Sequence, residues 1–438
     1  MKLSGWGRHP VIDCAVTRAR AWRDLEGLVQ GDGTLIARGN GRAYGDAAVN
    51  RALTVSMLGM DRMEAFDAAT GSLTCESGVL LSSIMESFVP RGWMPFVVPG
   101  TAHVTVGGMV AADVHGKNHH RDGSFGAHVE SLRVLTGRGE TVRCSPTENA
   151  DLFHATLGGM GLTGIIRSAT FRLQRIRTGW VGVETLPADD LEEAMALFEA
   201  SREYAYSVAW IDCMTRGAKL GRSLVYRGTP LDGEVPRGEA REWRRPRYTP
   251  TVPLDAPTAL LNGTTASLFN ALYFAAGRRR KGSRPTPLGA FFFPLDRVAA
   301  WNRLYGRRGF AQYQCVLPKH ESARGVRALL ERVATSRSGS FLAVLKLLGE
   351  QGPGHLSFPM EGYTLALDVP VRPGTAELLD ALDDITHAHG GRVYLAKDAF
   401  CRPERIRRGY PSLDRFAAVR EATGGGGFAS ALSGRLGL

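Results

Sequence analysis

Two glycine-rich segments, each set directly after a short apolar run, constrain this chain more than any other feature. The first is Arg38 to Asn50, RGNGRAYGDAAVN, after the apolar run Thr34 to Ala37. The second is Pro99 to Gly108, PGTAHVTVGG, after Met94 to Val98. Glycine lets backbone amides approach an anion closely, and consecutive amides form a concave nest. Either segment alone reads as an ordinary tight turn. Two of them, each behind a strand and separated by a helical stretch at Leu80 to Val89, suit the two phosphates of a dinucleotide. A third run, Gly159 to Gly164 (GMGLTG), has GxGxxG spacing. That fingerprint must open a helix, whereas IIRSATFRL follows here and reads as a strand, so a nicotinamide-binding fold is disfavoured.

The segment after the second glycine loop, Asp113 to His120 (DVHGKNHH), is dense in polar groups. Histidines exchange protons near neutral pH, and Lys117 can stabilise an oxyanion or a phosphate. His115, His119 and His120 have no carboxylate at a familiar metal-binding spacing, and no metal is assigned. A solvated surface loop is the plain alternative. The position directly after a glycine loop argues instead that the segment faces the bound group.

The chain has 438 residues, 44% of them hydrophobic, enough for two or three domains. Residues 12–30 read as a helix. Val129 to Thr136 and Glu140 to Cys144 read as a hairpin, residues 151–158 as a helix start and Gly164 to Arg172 as a strand. Leu191 to Tyr204 has helical spacing and Ser207 to Asp212 reads as a strand. Residues 228–290, rich in Pro, Gly and Arg, read as including mobile loops. Phe310 to Leu317, Phe341 to Leu348 and Tyr363 to Val371 read as strands, with a helical stretch at 374–389. The expectation is an α+β chain, with an antiparallel sheet in its second domain.

The net charge is +11, with basic clusters at Arg241 to Arg247 and Arg278 to Lys281. These are solvated loops or contacts to an anion or a membrane surface. They lack interleaved aromatics on a recognisable motif, which disfavours nucleic acid. Six scattered cysteines without a CxxC give no disulfide framework and read as small buried hydrophobes. The N-terminal residues lack the apolar run of a signal peptide, and no stretch of 18 uncharged apolar residues occurs. A cytoplasmic protein, or one peripheral at a membrane, is expected.

At RGNGRAYGD, PGTAHVTVGG, DVHGKNHHRDGSFG, LGGMGLTGII and GGRVYLAKD the chain resembles the vanillyl-alcohol-oxidase (PCMH) type of FAD-binding oxidoreductase. Within that type it is most similar to the family of flavin subunits of decaprenylphosphoryl-ribose 2-epimerases, with matches from Leu3 to the C-terminal FASALSGRLGL. The resemblance implies a two-lobed FAD-binding domain built from both chain ends, residues 1–176 and 392–438. A substrate domain, residues 177–391, would have an antiparallel sheet and flanking helices.

It also implies site residues. Arg38, Gly39, Asn40, Gly41, Arg42, Ala43, Tyr44, Gly45 and Asn50 would hold FAD from the first loop. Pro99, Gly100, Thr101, Thr105, Val106, Gly107 and Gly108 would hold it from the second. Ala112, His115, Gly116, Asn118, Gly161 and Ile165 would line the cofactor, and Tyr394 would flank the flavin. Related oxidases with a covalent flavin carry histidine where this chain has Arg42, so non-covalent FAD is expected. Lys397 is the leading catalytic residue, beside His115, Gln314 and Lys117; a structural ion pair of Lys397 with Asp398 or Asp368 is the alternative. Tyr44, Lys117, Gln312, Gln314, Lys346, Ala366 and Lys397 would line the sugar pocket.

The activity implied is oxidation of the 2-hydroxyl of a polyprenyl-phospho-ribofuranose to a 2-keto sugar. A separate NAD(P)H-dependent reductase would complete a 2-epimerisation that supplies arabinan precursor for cell-wall synthesis. A soluble sugar or alditol oxidase, reoxidised by oxygen, is the alternative. Mycobacterial members carry a cysteine at the Ala366 position, where nitro-aromatic inhibitors attach covalently. Alcohol oxidation needs no thiol, so activity is expected without such attachment. Intact-mass spectrometry after incubation with such an inhibitor should show no adduct, and a stoichiometric adduct would refute the alignment at Ala366.

Overall fold

The computed structural model describes every residue except 32, 234, 236–240, 242, 244–248, 258–260, 337 and 339. Most of the basic cluster at 241–247 therefore lies outside the described residues.

The chain opens with a two-residue ladder, β1 (Lys2–Leu3) on β2 (Ile12–Asp13). Strands β3 (Ala15–Arg18), β4 (Leu35–Arg38) and β5 (Leu53–Ser56) then form a parallel sheet with β5 in the middle. Helix α1 (Trp22–Val29) links β3 to β4. The single helix expected over residues 12–30 is thus wrong in its first half. Val16 and Thr17 are β-branched, favour extended backbone, and pair with Thr54 and Val55.

A six-stranded sheet follows, made of β6 (Met63–Asp67), β7 (Ser72–Glu76), β8 (Trp93–Pro95), β9 (Val129–Leu135), β10 (Thr141–Cys144) and β11 (Ile165–Arg175). Its order is β10-β9-β11-β7-β6, with β8 against the far end of β11. Helices α2 (Leu81–Phe88), α3 (Val106–Ala111), α4 (His119–Asp122) and α5 (Ala150–Thr156) lie between these strands in the chain. The GMGLTG run leads straight into β11, so it opens a strand and not a helix. The strand expected at Met94 to Val98 ends at Pro95, and the rest is loop.

The third sheet has eight strands: β12 (Trp180–Ala188), β13 (Tyr206–Ile211), β14 (Ser223–Pro230), β15 (Arg284–Pro287), β16 (Phe310–Pro318), β17 (Ala343–Leu348), β18 (Gly362–Pro370) and β19 (Arg392–Val393). Their order is β15-β12-β14-β13-β17-β18-β16-β19, antiparallel throughout. Successive residues in a strand face opposite sides. Tyr313, Cys315 and Leu317 of β16, Leu345 and Leu347 of β17, and Leu365 and Leu367 of β18 pack into one buried cluster. It is covered by helices α6 (Leu191–Glu199), α9 (Lys319–Ser336) and α10 (Thr375–Ala388), through Phe198, Leu329, Leu330 and Leu382. The intervening residues Gln312, Gln314, Lys346, Thr364, Ala366 and Asp368 face the other way, which sets the position of the site. All six cysteines are free and buried.

Of the stretch 228–290 expected to include mobile loops, residues 234, 236–240, 242, 244–248 and 258–260 lie outside the described residues. The rest contains α7 (Gly263–Arg278), whose Asn262 side chain accepts from the Thr264 and Thr265 amides, and β15; α8 (Leu288–Phe292) follows. The helix expected at Leu191 to Tyr204 stops at Glu199.

The C-terminal segment, with α11 (Pro403–Gly409), α12 (Leu413–Ala422) and α13 (Ala431–Leu436), returns to the first loop. Phe428 bridges to Leu35, and Asn50 Nδ2 donates to the Ala429 carbonyl at 2.6 Å. Arg435 reaches Asp46 at 2.8 Å and Asp398 at 2.9 Å. Both carboxylates are only 5% exposed. Removing the cation would leave two nearly buried carboxylates without a counter-ion, with only Asp398 still held by the Phe400 and Cys401 amides at 2.8 Å. Arg435→Met is therefore expected to cost about 3 kcal/mol in urea unfolding. A loss below about 1 kcal/mol, typical of a surface pair, would show that the clamp is dispensable.

Candidate active site

The first loop leaves β4 and is closed on itself by Arg38, whose guanidinium donates to Ser4 O at 2.8 Å and Ala48 O at 3.2 Å. The amides from Gly39 to Ala43 have no protein acceptor among the described residues, and Gly41 has φ +62°. The next amide, of Tyr44, is engaged by Ala396 O at 3.0 Å. Asn40 Nδ2 donates to His103 O at 2.9 Å, joining the two glycine loops. Gly39 lies so close to the second loop that a Cβ would stand 2.2 Å from Thr105 Oγ1.

The second loop is more internally bonded. Thr105 caps α3 by accepting from the Gly108 amide at 3.2 Å, while the Val106 and Gly107 amides donate to Val79 and Ser77 carbonyls. Thr101 Oγ1 and the Ala102 amide donate to Asp296 at 2.8 and 2.7 Å. The longer consecutive run of open donors thus belongs to the first loop, while in the second the amides of Gly100, Thr101, Val104 and Thr105 lack an acceptor among the described residues. A row of unengaged amides beside a glycine with no room for a side chain fits a pyrophosphate, and so fits FAD.

Arg42 lies 4.0 Å over the Trp6 ring. Pro99 is half-buried and Gly100 exposed at the start of the second loop. Ala112 supplies its carbonyl to Tyr394 OH at 2.8 Å. Gly161, with φ +77°, borders Ile36, and the Ile165 side chain is buried in the cluster of Leu135 and Phe428. Asn50 is engaged by Thr34, Ala429 and the amides of Ala52 and Leu53, and so braces the loop.

The DVHGKNHH segment is not a solvated loop. Asp113 is fully buried and accepts from the Gly126 amide and the Ser124 and Ser357 hydroxyls. Burial pushes its carboxyl above the usual range. Gly116 packs against Val98, and Asn118 Nδ2 donates to Phe96 O and Asp122, both at 2.7 Å. His119 Nδ1 accepts from the Gly349 amide, His120 donates to Tyr204 O, and burial pushes the His119 ring down to about 3.

His115 turns towards the third sheet. Gln314 Nε2 donates to His115 Nε2 at 3.0 Å, which places the ring proton on Nδ1, and Gln314 also reaches Thr364 at 3.1 Å. Burial, reinforced by Lys346, His119 and Lys397, holds His115 well below its ordinary range, so the ring is neutral at pH 7. Tyr394 and Phe358 stack at 4.5 Å, with His115 5.3 Å from Tyr394.

Lys397 Nζ sits 3.8 Å over the Tyr44 ring. It has no ion pair within 4.0 Å among the described residues; its neighbour Asp398 is held by Arg435 instead. Burial pushes Lys397 down to about 7, opposed by the Asp368 carboxylate and reinforced by Lys346. Lys346 is pushed down to about 8 and Lys117 to about 7, both mainly by burial. Lys117 donates to Phe291 O and lies 4.3 Å over that ring. Burial raises Asp368 to about 7, against hydrogen bonds from Gln312 at 2.6 Å and Tyr305 at 3.1 Å. Ala366 is the cross-strand partner of Gln314.

The structure therefore brings Tyr44, His115, Gln312, Gln314, Lys346, Ala366 and Lys397 to one side of the sheet. The sequence did not single out Thr364, Tyr305 or Asp296, and it considered Asp368 only as an ion-pair partner. Strand alternation from Ala366, two residues from each, was the available signal for Thr364 and Asp368. A partly desolvated amine without a tight ion pair, next to amide donors, can accept a proton from an alcohol.

An FAD-binding domain family matches residues 29–145. Over the whole chain the sequence is 36% identical to decaprenylphosphoryl-β-D-ribose oxidase of Mycolicibacterium smegmatis, covering 97% of that protein. It is 36% identical to an uncharacterised protein of Streptomyces coelicolor encoded in the mprA 5′ region, over 82% of this chain and all of that one. Cytokinin dehydrogenase 9 of rice, Oryza sativa subsp. japonica, is 33% identical over 32% of this chain and 28% of its own length.

A methyl group at Gly39 would push the two glycine loops apart. Gly39→Ala is expected to weaken FAD retention about tenfold or more, read as flavin released on ultrafiltration. Wild-type retention would show that these loops do not form the cradle.

Proposed function

Because the chain belongs to the decaprenylphosphoryl-β-D-ribose oxidase family of FAD-dependent oxidoreductases, we propose that it oxidises the 2-hydroxyl of a polyprenyl-phospho-ribofuranose to a 2-keto sugar. The observation that carries this reading is Lys397, held without a tight ion pair where the first glycine loop meets the polar face of the third sheet. Bound FAD would supply the hydride acceptor for the sugar carbon. Lys397 Nζ would take the proton of the 2-hydroxyl. Gln314 is fixed by His115 and Thr364 to orient the sugar, with Gln312 tied to Asp368 beside it. Lys117 and Lys346 supply positive charge for the phosphate, and Tyr44 closes the pocket under Lys397. The cofactor loops are Arg38 to Gly45 and Pro99 to Gly108, with Tyr394 and Gly116 beside the flavin. Non-covalent FAD is supported by Arg42, whose guanidinium cannot form a flavin bond.

The division into 1–176 and 392–438 for the cofactor and 177–391 for the substrate is supported by the change of sheet between β11 and β12, although Arg392 and Val393 still pair in the third sheet. Residue 393 pairs back onto β16, so the segments meet at the site. A separate NAD(P)H-dependent reductase returns hydride to the keto sugar in this reading, since GMGLTG opens a strand and offers no helix terminus to a nicotinamide dinucleotide. The lipid substrate also calls for peripheral membrane contact. No helix among the described residues is long and apolar enough to cross a membrane.

The test is anaerobic absorbance with a polyprenyl-phospho-ribose analogue. Bleaching of the oxidised flavin band is expected, and a band left intact would remove this sugar from consideration. The neutral amine of Lys397 predominates above about 7, so the bleaching rate should rise with pH through about 7 and then level off. Lys397→Met should lose that limb and slow bleaching at least about a hundredfold. Asp368→Asn removes the carboxylate that favours the ammonium, so the limb should move to lower pH. A profile unchanged in both variants would remove Lys397 as the base.

A further inference from the structure

Helix α7 carries no charged residue from Gly263 to Gly277, yet one of its faces is open to solvent. Leu268 is 62% exposed, Phe269 46% and Leu272 64%. The opposite face, Ala266, Asn270, Phe274 and Gly277, is buried on the third sheet. Gly277 is needed there, since a Cβ would stand 2.2 Å from Leu224 Cδ1. Asn270 fixes the rotation of the helix by donating to the buried Asp212 at 2.7 Å. The exposed stripe is therefore held outward by packing on the other side, and it is not a frayed end.

Four basic residues, Arg278, Arg279, Arg280 and Lys281, close the helix. Arg278 pairs with Asp189 at 3.1 Å, while the other three hold no ion pair among the described residues and are exposed. A second copy of the chain is a poorer occupant, because α7 carries no carboxylate with which to answer Arg279, Arg280 and Lys281 across a two-fold contact. An apolar stripe bordered by free cations matches the boundary of an anionic bilayer, where side chains enter the acyl region and cations meet phosphates. At 16 residues the helix is about 24 Å long, suited to lying in that plane.

The place of α7 links this surface to the site. Its buried face packs on Trp210 and Leu224. These residues lie in one cross-strand row, Leu224–Trp210–Val344–Ala366–Gln314, on the polar face of the sheet. From Trp210 to Gln314 is three strand spacings, about 14 Å. A second connection runs from Phe269 to Phe341 at 5.6 Å, to Tyr305 at 5.7 Å, whose hydroxyl donates to Asp368.

We propose that α7 docks the enzyme on an anionic membrane through Leu268, Phe269 and Leu272, with Arg279, Arg280 and Lys281 on lipid phosphates, and that this docking brings the half-buried part of the row, Val344 and Ala366 beside Gln314, towards the surface that carries the lipid-linked sugar. The delivery half rests on the polyprenyl-phosphate reading above; the docking half does not.

The test uses the full FAD-loaded chain and co-sedimentation with vesicles of phosphatidylcholine, with or without phosphatidylglycerol. Partition onto phosphatidylglycerol vesicles is expected, weakening with salt. It should fall about tenfold or more in the double variant Leu268→Gln, Leu272→Gln. The melting temperature and flavin absorbance of that variant should match wild type. With a short-chain, water-soluble phospho-ribose lipid the variant should bleach flavin at the wild-type rate. With long-chain substrate in vesicles it should be about tenfold slower, matching its partition loss.

Wild type that ignores anionic vesicles, a double variant that binds them unchanged, or one that alters only self-association in sedimentation velocity would overturn the proposal. Equal impairment on both substrates would also overturn it, by placing the leucines in the catalytic pocket. Failure of wild type on both substrates would sink the sugar reading, while vesicle partition would still decide docking.

Discussion

Buried positive charge is the constraint around which this site is arranged. Lys346 lies within electrostatic reach of both Lys117 and Lys397, while Asp368 is the carboxylate that acts on Lys397. Withdrawal from water is costly to an ammonium group unless an anion answers it. The protein answers only in part. Its nearby carboxylates are committed elsewhere: Asp398 and Asp46 to Arg435, Asp113 to hydroxyls and an amide. The remaining field is positive, and phosphates are its natural complement. The neutral His115 fits the same logic, since a cationic ring there would add to the repulsion.

The sheet makes this concentration of polar groups possible. Alternation along β16, β17 and β18 commits every second residue to a leucine-rich core under α6, α9 and α10. The residues between are released for chemistry, and their register is fixed by that core. A slip of one residue would bury Gln314 and Lys346 among leucines, so the hydrophobic face specifies the polar one.

Much of this was legible in the sequence. The glycine loops, the strands around Gln314 and Lys346, and the rejection of GMGLTG as a helix-opening fingerprint all rested on local chemistry. The failures were of two kinds. At residues 12–30 an apolar rhythm suited to a helix ran across the strand at Ala15 to Arg18, whose extended form depends on pairing with a distant β5. Within 228–290 loops alone were singled out, and the uncharged run that forms α7 went unread. The Arg435 clamp was beyond local reading altogether, since its partner Asp46 lies 389 residues away in the chain. Lys397 was found by resemblance, but its pairing alternative with Asp398 could be rejected only once Arg435 was in place.

The return of the last segment to the first has a consequence in time. Loop 38–50 is braced by Ala429 and Arg435, and Tyr44 is tied to Ala396. A ribosome releases the amino-terminal lobe long before those partners exist. The early lobe must therefore wait, its first loop unbraced, until the stretch from Ala396 to Arg435 has been made and has folded back.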